Sequence, residues 1–196
     1  MRKEVELKAH VDKESAEELL NFLTLSFGIP KPECKNDTYY KDKNGNDVRI
    51  REENGKFYFT KKQQAMNGNI EVNNEDERII NAEEKTLLEK ELTPFMKKIK
   101  AGYIWHIDKN SSSFRHETNI ELVNVRGFFL NTGETAPKEK DLGHFLETES
   151  LFQIEKPNSA ISREKIEIAK EDLEAFYKKC GIYENIEGRK YMSLLK

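Results

Sequence analysis

Glu4, Glu6 and Lys8 alternate with Val5 and Leu7 in the opening stretch RKEVELKAHV, and this period of two constrains the fold more than any other feature of the chain. Successive side chains of a β-strand point to opposite faces, so the three charges line up together. The pattern recurs: Arg49 and Arg51 flank Ile50, Glu121 sits between Ile120 and Leu122, and Glu147 and Glu149 alternate with Leu146 and Thr148. Lys61 and Lys62 end a further β-type run. Taken singly, the first strand fits a solvated face of a half-buried sheet. An ordinary outer face, however, mixes signs along each strand, whereas here acidic pairs and basic pairs are kept on different strands. That separation suits a polar interior that binds a polyanion through metal ions. Carboxylate oxygens suit Mg²⁺ or Mn²⁺, and Arg and Lys offer fixed donors to phosphate.

The rest of the chain supplies strands to surround such an interior. After a strand over Val5–Val11, Asp12 caps a helix with Ala16, Leu19, Leu20 and Leu23 at helical spacing, stopped by Gly28 and Pro30. A polar loop leads into hairpins. DTYYKD turns at Asn44-Gly45 into DVRIRE, which turns at Asn54-Gly55 into KFYFTKK, and Asn-Gly between β-type runs is the strongest short-range hairpin signal. NIEVNNEDERII is another strand, followed by a helix over AEEKTLLEKEL capped by Asn81, with Pro94 breaking or kinking the segment before Lys100. GYIWHIDK and NIELVNVRGFFL read as strands around a Ser-rich turn. The loop NTGETAPKEKD then leads to the strand LGHFLETES. Ser162 is expected to cap a last long helix carrying Ile166, Ala169, Leu173 and Phe176, closed by Gly181, and RKYMSLLK is weakly helical. With no low-complexity segment or linker, residues 1–196 are expected to form one α+β domain. About eight antiparallel strands are enough to close a small barrel.

Composition removes several classes. Lys and Arg number 33 against 36 Asp and Glu, so no global basic field points to nucleic acid, and an anion site must come from local clustering. No stretch approaches the length of a membrane span, and the N-terminus lacks the apolar run of a signal peptide. Cys34 and Cys180 are far apart without metal-type spacing, which fits a reduced, cytoplasmic protein. The four histidines are scattered, which argues against zinc, and no P-loop is present.

Several motifs resemble those of the CYTH, or triphosphate tunnel metalloenzyme, family, which includes class IV adenylyl cyclases, thiamine triphosphatases and inorganic triphosphatases. EVELK matches the family's opening ExExK. DTYY and VRIRE resemble its D-T-Y-Y and L-R-I-R strands, FTKK its T-x-K, LGHFLETE its L-G-x-F-x-E-x-E, and YMSLL its C-terminal helix. They run in family order from Glu4 to Leu195. The resemblance implies an eight-stranded antiparallel barrel around a hydrophilic tunnel, with Glu4, Glu6, Glu147 and Glu149 as ligands of Mg²⁺ or Mn²⁺. It implies that Lys8, Arg49, Arg51 and Lys62 hold a triphosphate, Lys8 next to the chemistry.

Two positions depart from the family pattern. In KNSSSF, Lys109 is kept but Ser111 stands where the family has Arg, with Arg115 as the nearby substitute. Val123 stands where the family has an Asp on the seventh strand, and Glu121, one step along the same face, is the candidate replacement as ligand and catalytic group. The stretch NTGETAPKEKD is longer than the family connection. Glu71, Glu75 and Glu77 are expected at the surface, Trp105 in the wall, and Cys34 and Cys180 outside the chemistry. The leading expectation is a metal-dependent hydrolase of inorganic triphosphate, a nucleoside triphosphate or thiamine triphosphate. A class IV adenylyl cyclase is the alternative, disfavoured because only Met1–Lys3 precede Glu4 where the cyclases carry a His-Phe pair. A non-catalytic sensor of nucleotide or polyphosphate is the third reading, motivated by Ser111 and Val123. The expected partner is a triphosphate-bearing small molecule, without nucleic acid or membrane, and a homodimer is compatible with the chain.

Overall fold

A computed structural model describes residues 2–67, 70–130, 133, 137–153 and 160–196, with the side chains of residues 2, 62–67 and 73–75 outside the description. Eight strands close a barrel in the order β1-β5-β4-β3-β2-β6-β7-β8. β1 (Arg2–Val11) pairs with β5 (Ile70–Ile80) on one side and with β8 (Lys140–Gln153) on the other, and that double pairing closes the ring. Between them lie β4 (Lys56–Asn67), β3 (Asp47–Glu53), β2 (Lys31–Lys41), β6 (Thr93–Ile107) and β7 (Glu117–Phe129), all antiparallel.

Local chemistry sets the connections. α1 (Lys13–Phe27) starts where the Asp12 carboxylate accepts the Ser15 amide at 2.7 Å and stops at Gly28, whose φ of 88° a side chain would resist. Asn54 and Gly55 both have positive φ, as a tight hairpin between twisted strands requires. α2 (Ala82–Glu91) begins at Asn81, whose side chain accepts the Glu84 amide at 2.8 Å. α3 (Ala160–Lys179) differs from expectation. Ser162 is buried within the helix, so it does not cap it. The short α4 (Tyr191–Leu195) ends the chain.

The packed core lies outside the barrel. Val5, Leu7, Ala9 and Val11 face outward from β1 and pack with Leu19 and Leu23 of α1 and with Leu173, Phe176 and Tyr177 of α3, all at most 5% exposed. Fully burying such a side chain contributes roughly 1.5–3 kcal/mol. Tyr177 fixes α3 on the seam of β1 and β8, its hydroxyl donating to Leu7 O at 2.7 Å and Leu146 O at 2.8 Å. Trp105 is wall packing as expected, with Nε1 donating to Gly28 O. A second cluster, Tyr40, Val48, Ile50, Phe59 and Ile80, lies under Leu88 and Leu92 at α2. Because the helices cover the outer faces, the opposite faces of the same strands are free to be charged. No helix is long and apolar enough to cross a membrane among the described residues. Cys34 and Cys180 are unbridged.

Candidate functional site

The lumen is a cavity of about 390 Å³ lined mainly by charge. On one side, Glu6 pairs across the strands with Glu149 of β8 and with Glu71 of β5, while Glu147 sits between Lys8 and Glu121. Strand register thus turns the carboxylates of Glu4, Glu6, Glu121, Glu147 and Glu149 toward one space, which they all line. Glu71 corrects the sequence expectation. It is 6% exposed, lines the cavity and approaches Lys8 at 3.6 Å. Glu77 also lines the cavity and accepts from Arg49 at 3.3 Å and from Thr60 at 3.1 Å. β5 turns this face inward because it closes the ring against β1. The side chain of Glu75 lies outside the described residues.

Arg49 and Arg51 line the opposite part of the cavity, as expected, joined by Lys35, Lys98 and Lys100, which sequence reasoning missed. The polar loop assigned before DTYY is in fact strand from Lys31, and β6 starts at Thr93 instead of near Gly102, so each missed lysine sits on a missed length of strand. Lys100 donates to Glu121 at 2.6 Å and to Glu147 at 2.8 Å, and Lys35 donates to the other Glu121 oxygen at 2.6 Å. Burial pushes the Glu121 carboxyl up, but Lys100 and Lys35 outweigh it and hold the group well below the usual range. Burial likewise opposes the charge of Lys100, and Glu121 and Glu147 restore it, raising its pKa well above normal. Glu33, beyond Lys35, is pushed up to about 7 by burial and by Glu121. Its Oε2 has no hydrogen-bond partner among the described residues.

One end of the lumen is covered by α4. Tyr191 packs edge-on against Phe145 at 5.0 Å in a cluster with Val123 and Val125, and its hydroxyl donates to Glu147. Val123 is therefore a packing residue under α4. Burial and Glu147 keep the Tyr191 phenol protonated far beyond its usual range, so it serves as a donor.

Two candidates lie elsewhere. Lys109 is exposed in the turn between β6 and β7 and does not line the cavity. Arg115 turns to α3 instead, donating to Asp172 at 2.8 Å and to Glu171 at 3.0 Å. Ser111 organises that turn, its Oγ accepting the Phe114 amide at 3.0 Å. Neither cation lines the cavity. Arg115→Ala is accordingly expected to leave affinity for inorganic triphosphate unchanged in calorimetry and to lower stability by about 1 kcal/mol, as for an exposed ion pair. A loss of affinity would return Arg115 to the site. Lys62 lies on β4 opposite Glu75, with its side chain outside the described residues.

The carboxylates suit a hard divalent cation by donor type. Among the described residues, no three His, Cys, Asp or Glu side chains are arranged to hold a metal ion, so the donors would have to rotate together. Both oxygens of Glu121 are engaged by lysines, and Glu149 accepts from Asn119 at 3.2 Å.

A closed barrel with helices outside and ion-paired charge inside defines the class. The model of the CYTH domain matches residues 2–134, and the chain belongs to the CYTH-domain family. None of the curated proteins matches it. Among solved structures it is similar to the PH1819 protein of Pyrococcus horikoshii OT3, at 21% identity and TM-score 0.65 over 98% of this chain and 97% of that one. It is also similar to HpAC1 of Hippeastrum, an adenylyl cyclase-like protein described as having a dominant triphosphatase activity, at 16% identity and TM-score 0.55 over 100% and 95%. A chain of the Schizosaccharomyces pombe Mediator head module shares the fold at 9% identity and TM-score 0.64 over 90% and 95%. At these identities the likeness concerns the fold.

Proposed function

We propose that the protein hydrolyses a triphosphate-bearing small molecule with Mg²⁺ or Mn²⁺. The observation that carries this reading is the division of one buried cavity into a cationic side, with Arg49, Arg51 and Lys98, and a carboxylate side, with Glu4, Glu6 and Glu149. The cations would bind the phosphate oxygens and fix the chain in a water-poor space, where charge-assisted contacts are strong. Lys8, which lines the cavity on β1 beside Glu147 and 3.6 Å from Glu71, would hold the phosphoryl group nearest the carboxylates. Glu4, Glu6 and Glu149 would hold the metal, which when bound supplies charge to the phosphoryl oxygens and acidifies a water. Phosphoryl transfer asks the protein mainly for this positioning and charge. The dominant triphosphatase activity described for HpAC1 supports hydrolysis over cyclisation.

A second reading, a binding module without turnover, is favoured by the saturation of Glu121 by Lys35 and Lys100. Phosphorus NMR of parallel incubations with ATP and inorganic triphosphate decides. The expected result is orthophosphate from inorganic triphosphate, fastest at alkaline pH, where the attacking water deprotonates more readily. Cyclic AMP and pyrophosphate as sole products would make the protein a cyclase, and binding of both compounds without turnover would make it a sensor.

A further inference from the structure

Asp37 does not line the lumen, yet it stands behind three of the cations that do. Its side chain is 0% exposed. On β2 it pairs directly with Arg51 of β3 on one side and Lys98 of β6 on the other. Arg51 donates to it through two nitrogens, Nε at 2.7 Å and a terminal nitrogen at 3.1 Å. Lys98 Nζ stands 3.3 Å from Oδ2, and Arg49 stands 3.9 Å from the same oxygen. Lys98 also lies over the Tyr191 ring at 4.9 Å and the Tyr39 ring at 5.6 Å, which closes off its other approaches. One buried carboxylate thus gathers three cations that would otherwise repel one another at close range in a low dielectric.

We propose that Asp37 is the positioning residue of this cation cluster, fixing Arg49, Arg51 and Lys98 in the arrangement that grips a phosphate chain. The identity of the anion rests on the function proposed above, whereas the positioning does not. Burial works against the Asp37 charge, but Arg51, Lys98 and Arg49 outweigh it and hold the carboxyl well below its usual range, so it remains ionised throughout the physiological span.

Charge counting and positioning predict opposite signs for Asp37→Asn. The substitution makes the cavity region one unit more positive, so charge alone would tighten anion binding. If Asp37 positions the cluster, the guanidinium of Arg51 loses its two-point anchor and binding weakens. Calorimetry with inorganic triphosphate and Mg²⁺ is expected to show affinity about tenfold to a hundredfold weaker in Asp37→Asn, the size of a lost charge-assisted contact. Unchanged or tighter binding would overturn the proposal. If Asp37→Asn does not fold, Arg51→Lys keeps the charge but gives up the fork, and is expected to weaken binding at least tenfold. Unchanged affinity there would also overturn it. Should the wild-type protein bind no triphosphate, the functional reading fails and the positioning is decided by hydrogen exchange at Arg51 Nε. Slow exchange is expected in the wild-type protein, where Asp37 accepts from that nitrogen, and fast exchange in a folded Asp37→Asn. Equally fast exchange in the wild-type protein would exclude an anchored guanidinium.

Discussion

Lys100→Met is expected to lower the unfolding free energy by about 3–5 kcal/mol, the cost of removing one member of a buried ionic group. The side chain is 6% exposed and its ammonium donates to both Glu121 and Glu147. Methionine matches much of its volume but leaves Glu147 with the Tyr191 hydroxyl and Glu121 with Lys35. Neither remaining contact supplies the lost charge, and two buried carboxylates then face each other across paired strands. Urea unfolding reads the loss directly. The double variant Lys100→Met, Glu121→Gln removes one carboxylate as well and should recover part of it, because groups in one network are not additive. A loss below about 1 kcal/mol in the single variant, the range of an exposed pair, would show that water screens this part of the lumen.

The sequence made the ends of this network visible and hid its middle. β1 and β8 were legible because charge on the lumenal face alternates with an apolar outer face that packs under α1 and α3, as at Val5 and Leu7 or Leu146. The hairpins were legible because Asn54 and Gly55 supply the positive φ that the turn needs. The first half of β2 reads KPECKND and carries polar or exposed residues on both faces, with Glu33, Lys35 and Asp37 buried inward and Cys34 and Asn36 exposed outward. Without an apolar face, the period-two signal vanishes and such a strand looks like a loop. The start of β6 failed for a related reason, since Lys97 points outward while Lys98 and Lys100 point inward, and Pro94 suggested a break. In an ordinary sheet one face must be apolar. A barrel whose core lies outside relaxes that demand on any strand that no helix covers, which is where Lys35 and Lys98 were overlooked. Arg115 shows the opposite error. Proximity in sequence to a family position said nothing of direction, and Asp172 of α3 offered the nearer carboxylate.

Glu33→Gln is expected to change how stability depends on pH, and in the direction opposite to most buried carboxylates. The folded protein raises the Glu33 carboxyl from 4.5 to about 7, first through burial and then through the nearby Glu121, with Lys35 only partly compensating. A carboxyl with a raised folded pKa holds its proton in the native state while the unfolded chain has already released it. Its favourable contribution is therefore complete below pH 4.5 and is lost as pH rises from there through about 7. The same linkage sets the scale, about 3 kcal/mol across that window at roughly 1.4 kcal/mol per pKa unit. Glutamine keeps the shape and a hydrogen-bonding oxygen for Lys35, which stays paired with Glu121 at 2.6 Å, but it has no proton to lose. Asp37 and Glu121 pull the other way in both proteins, since their depressed carboxyls give stability that disappears only as pH falls below the normal carboxylate range. Urea unfolding of wild type and variant at pH 5 and pH 8 isolates the difference. The variant should gain on the wild type as pH rises, becoming the more stable protein at pH 8. A constant gap between the two at both pH values would mean that Glu33 is ionised throughout, held by Lys35 as an ordinary buried ion pair.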